Sequence, residues 1–147
     1  GANKTNYQRT KRHNTGVFIT SSVDLSPLFI EMSLRNDDDS SYGNNTTWGI
    51  ASGLNLTETI SISASHGTAY RAPSFNDLYW PDDGWTKGNS ALQPEKGKSY
   101  ELGIDNIMDF KFFDKISLDT KAGVTYFRTD MIDLIAWAED PTDPNAF

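Results

Sequence analysis

The chain has no cysteine among its 147 residues, which excludes disulfide bonds and metal sites built from cysteine thiolates. Only 2 histidines are present, so a transition-metal site has little to build on. The 13 basic residues are outnumbered by 20 acidic ones, and the net charge of −7 argues against nucleic-acid binding, which needs a basic surface. No apolar run approaches the roughly 18 residues of a membrane-spanning helix. A β-barrel wall stays open, because it needs an apolar residue only at every second position.

Motifs for catalysis are missing as well. The sequence contains no Gly-x-Ser-x-Gly elbow, no phosphate-binding loop and no paired-histidine zinc motif. Glu95 and Glu101 are too far apart in sequence to suggest a carboxylate pair, and neither has an apolar setting that would raise its pKa. We therefore predict neither an enzyme nor a bound cofactor.

What the sequence does contain is strict alternation of apolar with small or polar residues, which predicts strands with one apolar face. No segment shows sustained helical periodicity, so an all-β chain is predicted. The apolar positions are Val17, Ile19, Val23; Leu28, Ile30, Met32, Leu34; Trp48, Ile50, Leu54, Leu56; Ile60, Ile62, Ala64; Tyr100, Leu102, Ile104; and Ile116, Leu118, Ala122, Val124, Tyr126.

The connections between these segments alternate in length. Short turns are expected at 24–27 and 55–58, a longer loop at 36–45, a very long one at 71–96 and an intermediate one at 106–114. In an antiparallel up-and-down meander, every second connection lies at the same end of the sheet. The pattern therefore predicts tight turns at one end and long loops at the other, as in a transmembrane β-barrel.

A soluble β-sandwich that binds carbohydrate or protein through its aromatic loop is the main alternative, because its strands alternate in the same way. Three features favour the barrel. The segments run to about ten residues, the length of a tilted membrane strand. Their polar positions are rich in Gly and Ser with scattered charges, which suits a wet interior. Aromatic residues such as Trp48, Tyr70, Tyr126 and Trp137 lie near strand ends, as in an interfacial girdle. A passive porin-like barrel is a third reading.

Three motifs follow one another in a fixed order: RAPSFNDLYWP at 71–81, GNSALQPEK at 88–96 and SYELG at 99–103. Together they resemble the barrel signature of TonB-dependent outer-membrane receptors. The segment LRNDD at 34–38 is similar to the strand and loop that precede this signature in vitamin B12 receptors, and YFRTDMIDLI at 126–135 is similar to a strand of the TonB-dependent receptor family.

The resemblance implies a barrel of about 22 strands with a plugged lumen. It implies uptake of a scarce nutrient (cobalamin, an iron-siderophore or haem) across the cell outer membrane. The TonB energy-transducing complex, the nutrient and outer-membrane lipid would be the partners. We expect residues 1–147 to be a partial β-barrel domain, an internal fragment without the plug and the remaining strands. We also expect its apolar face to meet lipid or a partner rather than a private core.

The loop at 71–96 is the candidate ligand-binding region, because it would face outside and is rich in aromatic residues. The candidate residues are Phe75, Asn76, Tyr79, Trp80 and Trp85. Aromatic side chains give a large contact area at low entropic cost, which suits corrin, haem or catecholate ligands. The alternative is that these side chains only pack the loop against the barrel rim.

Two charged segments have simpler expected roles. Residues 37–39 are three aspartates whose carboxylates could bind calcium, but their spacing lacks the pattern of a calcium loop, and a solvated loop is expected. Lys4, Arg9, Lys11, Arg12 and His13 form a basic patch before the first strand. It could meet lipid phosphates or an anionic siderophore, although a solvated terminus is the simpler expectation.

Overall fold

A computed structural model describes residues 11–82, 86–112 and 116–137. It confirms the all-β prediction: six strands form one antiparallel sheet in the order β1-β2-β3-β4-β5-β6, an up-and-down meander. The strands are β1 (Asn14–Leu25), β2 (Leu28–Asp39), β3 (Gly43–Asn55), β4 (Ile60–Arg71), β5 (Glu95–Phe112) and β6 (Ile116–Ile132). The described part contains no helix with the length and apolar character to cross a membrane.

The sheet does not close on itself. Each inner strand pairs on both sides, whereas β1 pairs only with β2 and β6 only with β5. An open sheet with two unpaired edges has the form of a partial barrel, because a closed barrel would pair its first and last strands.

The connections separate into two classes at the two ends of the sheet. At what we call the turn end, residues 26–27 join β1 to β2 and residues 56–59 join β3 to β4. At the opposite loop end, residues 72–94 join β4 to β5 and include the short helix α1 (Phe75–Tyr79). The predicted division into tight turns and a long loop is therefore confirmed at these connections.

Two predicted loops are wrong. The stretch 36–45 is mostly strand, because Asn36 pairs with Thr46 and Asp39 with Gly43, leaving residues 40–42 as the turn. The stretch 106–114 is strand up to Phe112, which pairs with Ile116. In the first stretch backbone pairing continues although the side chains are polar, because the ladder bonds need no apolar residue. In the second, apolar residues such as Met108 and Phe110 continue the strand beyond Asn106.

Cross-strand register places the apolar side chains on one face, which we call the apolar face. Leu54 pairs with Ile62, Ile62 with Ile104, and Ile104 with Val124, so one apolar row crosses four strands. Leu54, Ile104 and Val124 stay exposed and Ile62 is half-buried, and Leu78 is the only buried large hydrophobic residue in the described residues. The sheet therefore has no private core, and its apolar face is available to lipid.

The opposite or polar face is lined by small residues. Gly49 pairs with Gly67, which pairs with Ser99, and the side chains of Ser33 and Glu31 border the same open groove of about 220 Å³. A Cβ on Gly67 would lie 3.1 Å from the Trp48 carbonyl oxygen, so glycine fits there best. Pairing of β3 with β4 stops at this point in the direction of the loop end.

Candidate ligand-binding loop

The base of the β4–β5 loop is closed by an ion pair on the polar face. Arg71 and Glu95 form the last cross-strand pair of β4 and β5, and Arg71 Nη1 lies 3.0 Å from Glu95 Oε2. The second oxygen of Glu95 accepts a hydrogen bond of 2.7 Å from the backbone N–H of Ile135. Glu95 is only 3% exposed, so its charge depends on these two partners. The contacts fix both limbs of the loop and the segment after β6.

Helix α1 begins with a capping box. The Ser74 hydroxyl accepts from the Asp77 backbone N–H at 3.2 Å, and Asp77 Oδ2 accepts from the Ser74 N–H at 2.7 Å. This exchange satisfies two backbone donors that a helix start leaves open. Pro73 is fully buried just before the cap, and Leu78 is the buried residue of the helix. The single turn of α1 is too short to be stable by itself, so it is stabilised by its cap and by the burial of Pro73 and Leu78.

The returning limb of the loop packs directly on α1. Gly88 donates its N–H to the Trp80 carbonyl at 2.9 Å, and Asn89 donates to the Asp77 carbonyl at 2.8 Å. A Cβ on Gly88 would lie 2.5 Å from the Trp80 nitrogen and 2.6 Å from the Leu78 carbonyl carbon. Only a glycine allows so close an approach of two backbone segments.

Arg12 anchors the loop to the part of the sheet formed by β1 and β2. Its Nη1 donates to the Pro73 carbonyl at 2.6 Å, and its Nε lies 3.3 Å from Asp39 Oδ2. The guanidinium carbon lies 5.6 Å from the centre of the Phe75 ring, within the range of a cation–π contact. Tyr42, in the β2–β3 turn, adds a long hydrogen bond of 3.5 Å to the Leu92 carbonyl. The loop thus bends over the polar face towards β1 and β2.

Four of the five predicted ligand-binding residues come together at α1, and Trp85 lies outside the described residues. The rings of Phe75 and Tyr79 stack with centroids 6.2 Å apart, and both side chains are half-buried. Asn76 is exposed, and Trp80 is 39% exposed at the end of the helix. Phe75 and Tyr79 are therefore partly covered within the loop, whereas Trp80 presents more open aromatic surface.

Electrostatic forces reinforce the cap. Burial tends to raise the pKa of Asp77, but hydrogen bonds from Ser74 and the nearby Arg71 guanidinium outweigh it and hold that pKa below its ordinary value. In the β2–β3 turn, burial raises the pKa of Tyr42, so its phenol stays protonated and can donate to the loop. Both groups therefore keep the charge state that the loop contacts require at neutral pH.

Two expectations about charged segments are wrong in part: Asp38 is exposed as expected, and Lys4 and Arg9 of the basic patch lie outside the described residues. Asp37 and Asp39 are buried on the polar face of β2 rather than solvated in a loop. Arg35 donates to both oxygens of Asp37 at 2.6 and 2.7 Å, and Arg12 neutralises Asp39. Arg12 is consequently a structural contact of the loop and not part of a frayed terminus.

Sequence reasoning missed the residues that hold the loop. Arg71 and Glu95 stand at the two ends of the motif region, so opposite charges flanking a long loop were the available signal. Arg12 and Asp39 are 27 positions apart in the chain, and nothing in the local sequence pairs them, because their contact depends on the β1–β2 register.

Comparisons with known proteins place these features in a family. The protein-family model described as TonB-dependent receptor-like β-barrel matches residues 1–147 of this chain. The vitamin B12 transporter BtuB of Photobacterium profundum is 38% identical over 145 residues, which cover 96% of this chain and 21% of the transporter. The BtuB of Vibrio vulnificus is 38% identical over 144 residues, covering 98% of this chain and 21% of its own length. The siderophore receptor PirA of Pseudomonas aeruginosa superposes with a TM-score of 0.71 at 26% identity, covering 83% of this chain and 23% of that structure.

Proposed function

Because this chain belongs to the TonB-dependent receptor β-barrel family, we propose that it supplies part of the wall and one outer loop of a receptor that takes up a scarce nutrient. The barrel lies in the cell outer membrane, as do the related receptors. The chain spans 21% of the length of the curated relatives. That further strands complete the wall and that a plug fills the barrel is therefore part of what we propose. In this arrangement the apolar face meets lipid and the polar face lines the bore.

The nutrient-binding role rests on the placement of α1. The loop bends over the polar face, and Trp80 presents a partly exposed ring beside Asn76. A corrin, haem or catecholate presents a large flat surface, which aromatic side chains on a preordered loop bind at low entropic cost. Among these nutrients we favour a corrinoid, because two relatives are vitamin B12 transporters at 38% identity and the siderophore receptor is more distant at 26%.

Binding measurements on the receptor that contains these six strands test this role. Calorimetric titration with cyanocobalamin, and in parallel with a ferric catecholate siderophore and with haem, identifies the nutrient class. Trp80→Ala should lower affinity for the preferred nutrient about tenfold, since it removes one partly exposed aromatic contact. Phe110→Ala, which removes an aromatic side chain from the apolar face near the turn end, is the matched control and should leave affinity unchanged.

The outcome separates the alternatives. A selective loss at Trp80 supports direct contact with the ligand. Unchanged affinity in Trp80→Ala, together with tight binding by the wild type, would assign the α1 aromatic residues to loop packing alone. No binding of any of the three nutrients would contradict the proposed receptor role.

Energy coupling is the second part of the proposal. Family membership implies that TonB drives uptake through the plug. Uptake of the bound nutrient by whole cells should therefore stop when TonB is deleted, while binding to the same cells persists. Uptake that continues at full rate without TonB would favour passive passage through the barrel.

A further inference from the structure

The charged side chains of the strands divide unequally between the two faces. On the polar face of the described strands, acidic residues outnumber basic ones and extend over the whole height of the sheet. Within the described strands, the apolar face carries no charge over its middle and lower rows. Its charged residues lie towards the loop end: Asp38, Lys96, Lys98, Arg128 and Asp130.

Three of these residues form a cationic strip across β5 and β6. Lys96 and Lys98 occupy alternate positions of β5, and Arg128 pairs with Tyr100, the next outward residue of β5. Neither lysine has an ion-pair or hydrogen-bond partner among the described residues. Arg128 donates to Asp130 Oδ1 from Nε at 3.0 Å and from Nη2 at 2.9 Å, yet its side chain stays 62% exposed. The three cations outnumber the single carboxylate of Asp130, so the strip has a net positive charge.

The height of the strip matches the level of lipid headgroups. Arg128 is 12 residues beyond Ile116, the first residue of β6 at the turn end. At about 3.3 Å per residue this is about 40 Å along the strand, or about 30 Å of height at a tilt of about 40°. The apolar band of an outer-membrane barrel is about 25 Å tall, so Arg128 lies just beyond it on the loop side. Lys98 and Lys96 pair with Asp130 and Ile132 and therefore lie about 5 and about 10 Å farther out.

Aromatic residues lie directly below the strip. Tyr100 stacks on His66 with ring centroids 4.1 Å apart, and His66 meets Trp48 edge-on at 4.9 Å. Tyr126 lies one outward position below Arg128 and is 64% exposed. Tyr and Trp at this depth mark the boundary between hydrocarbon and headgroups. Cations immediately above such a boundary face the phosphates of the lipid.

We propose that Lys96, Lys98 and Arg128 form a binding strip for the phosphate groups of a phosphorylated lipid in the outer leaflet. The proposal rests on the orientation given under the proposed function, in which the apolar face meets lipid. Charge complementarity selects the occupant: an anionic phosphate suits a net positive strip on a face whose other charges, among the described residues, are Asp38 and Asp130 at the loop end. The chain as a whole is acidic, so general attraction of anions to the protein does not account for it.

Native mass spectrometry of the receptor in neutral detergent, titrated with bisphosphorylated lipid A, tests the strip. Lys96→Gln with Lys98→Gln should weaken lipid A binding about twentyfold, at about fivefold per lysine. The pair Lys96→Arg and Lys98→Arg keeps the charge and should bind about as well as the wild type. Lys111→Gln, on the polar face of the same strand, is the matched control and should bind as the wild type does.

Two further arms identify the source of the phosphate and separate this proposal from the proposed function. Millimolar inorganic phosphate should not displace lipid A; if it does, the strip binds free phosphate and the lipid assignment is wrong.

Nutrient affinity should be unchanged in the double glutamine variant. Equal lipid A binding by wild type and double glutamine variant would overturn the strip, whatever the nutrient titration gives. Absence of nutrient binding alongside a twentyfold lipid effect would overturn only the receptor role.

Discussion

Arg71 and Glu95 are 24 positions apart in the chain, yet their side chains meet at 3.0 Å across the last rung of the β4–β5 ladder. The pair closes a loop that begins and ends at these two residues. Because Arg71 also reaches Asp77 at 3.3 Å, the same guanidinium ties the base of the loop to the first turn of α1. Loop position and sheet register are thus linked through one side chain.

Replacing Arg71 by Gln should loosen the loop without disturbing the sheet. The change leaves the buried Glu95 carboxylate with only the Ile135 N–H, and we expect a cost of about 1 kcal/mol, at the low end because Arg71 is half exposed. Hydrogen exchange of the Gly88 and Asn89 amides should accelerate about fivefold, while amides of β2 and β3 should not change. Arg128→Gln, which removes an exposed pair on the other face, should leave loop exchange as in the wild type.

Gly88→Ala should disrupt the contact between the returning limb and α1. The added methyl group would lie 2.5 Å from the Trp80 nitrogen, so the two backbone segments must separate and both hydrogen bonds of the limb are lost. Protease cleavage within residues 72–94 should become faster, and nutrient affinity should fall. Gly97→Ala is the comparison, since its new methyl group meets only ordinary contacts at 3.7 Å. Equal resistance in both variants would show that the limb does not pack as described.

The capping of α1 should survive mild acid. The pKa of Asp77 lies below its ordinary value, so its contribution to loop stability is present above the ordinary carboxyl pKa and is lost only as pH falls through the lowered one. Hydrogen exchange in α1 should therefore be the same at pH 7 and pH 5, once corrected for intrinsic rates, and should rise below about pH 4. Asp77→Asn should already show the faster exchange at pH 7. A wild-type transition centred near pH 6 would contradict this assignment.

Arginine substitutions at neighbouring positions of β5 should have very different costs. Met108 is on the apolar face and Asp109 on the polar face, and Met108 pairs with Thr120 near the middle of the apolar band, so only the first change places a charge in lipid. Met108→Arg should lower the free energy of unfolding in vesicles by about 2–4 kcal/mol. Asp109→Arg should cost much less if the bore has room. Chemical unfolding of both variants gives the comparison, and equal losses would contradict the assignment of faces.

The sequence predicted the meander because alternation survives in every strand. Ile62, Ile104 and Val124 sit on one face by counting alone, and the register then aligns them across the sheet. Strand ends were predicted poorly. Beyond Leu34 the side chains turn polar, so periodicity of hydrophobicity fades although backbone pairing continues to Asp39. Beyond Ile104 the alternation is interrupted at Asn106 and Ile107, although apolar residues resume at Met108 and Phe110 and pairing continues to Phe112.

The candidate site was predicted in its location but not in its construction. The aromatic residues Phe75, Tyr79 and Trp80 stand out in the sequence, and the structure gathers them on one helical turn. The anchor formed by Arg12 joins residues that only the folded sheet brings together, so no local pattern could reveal it. Arg12 and Pro73 are 61 positions apart, whereas the sequence patterns of turns and helices involve residues only a few positions apart.

The most direct test of the central claim, that one face of this sheet meets lipid and the other lines a bore, is spin labelling along β5. The chain has no cysteine of its own, so single cysteines at each of positions 103–108, which pair with residues 120–125 inside the apolar band, can carry a nitroxide in the receptor reconstituted into vesicles. Collision with oxygen should be high at the even positions, and collision with a water-soluble nickel complex should be high at the odd ones. The same accessibility at all six positions, or alternation with the faces reversed, would contradict the account.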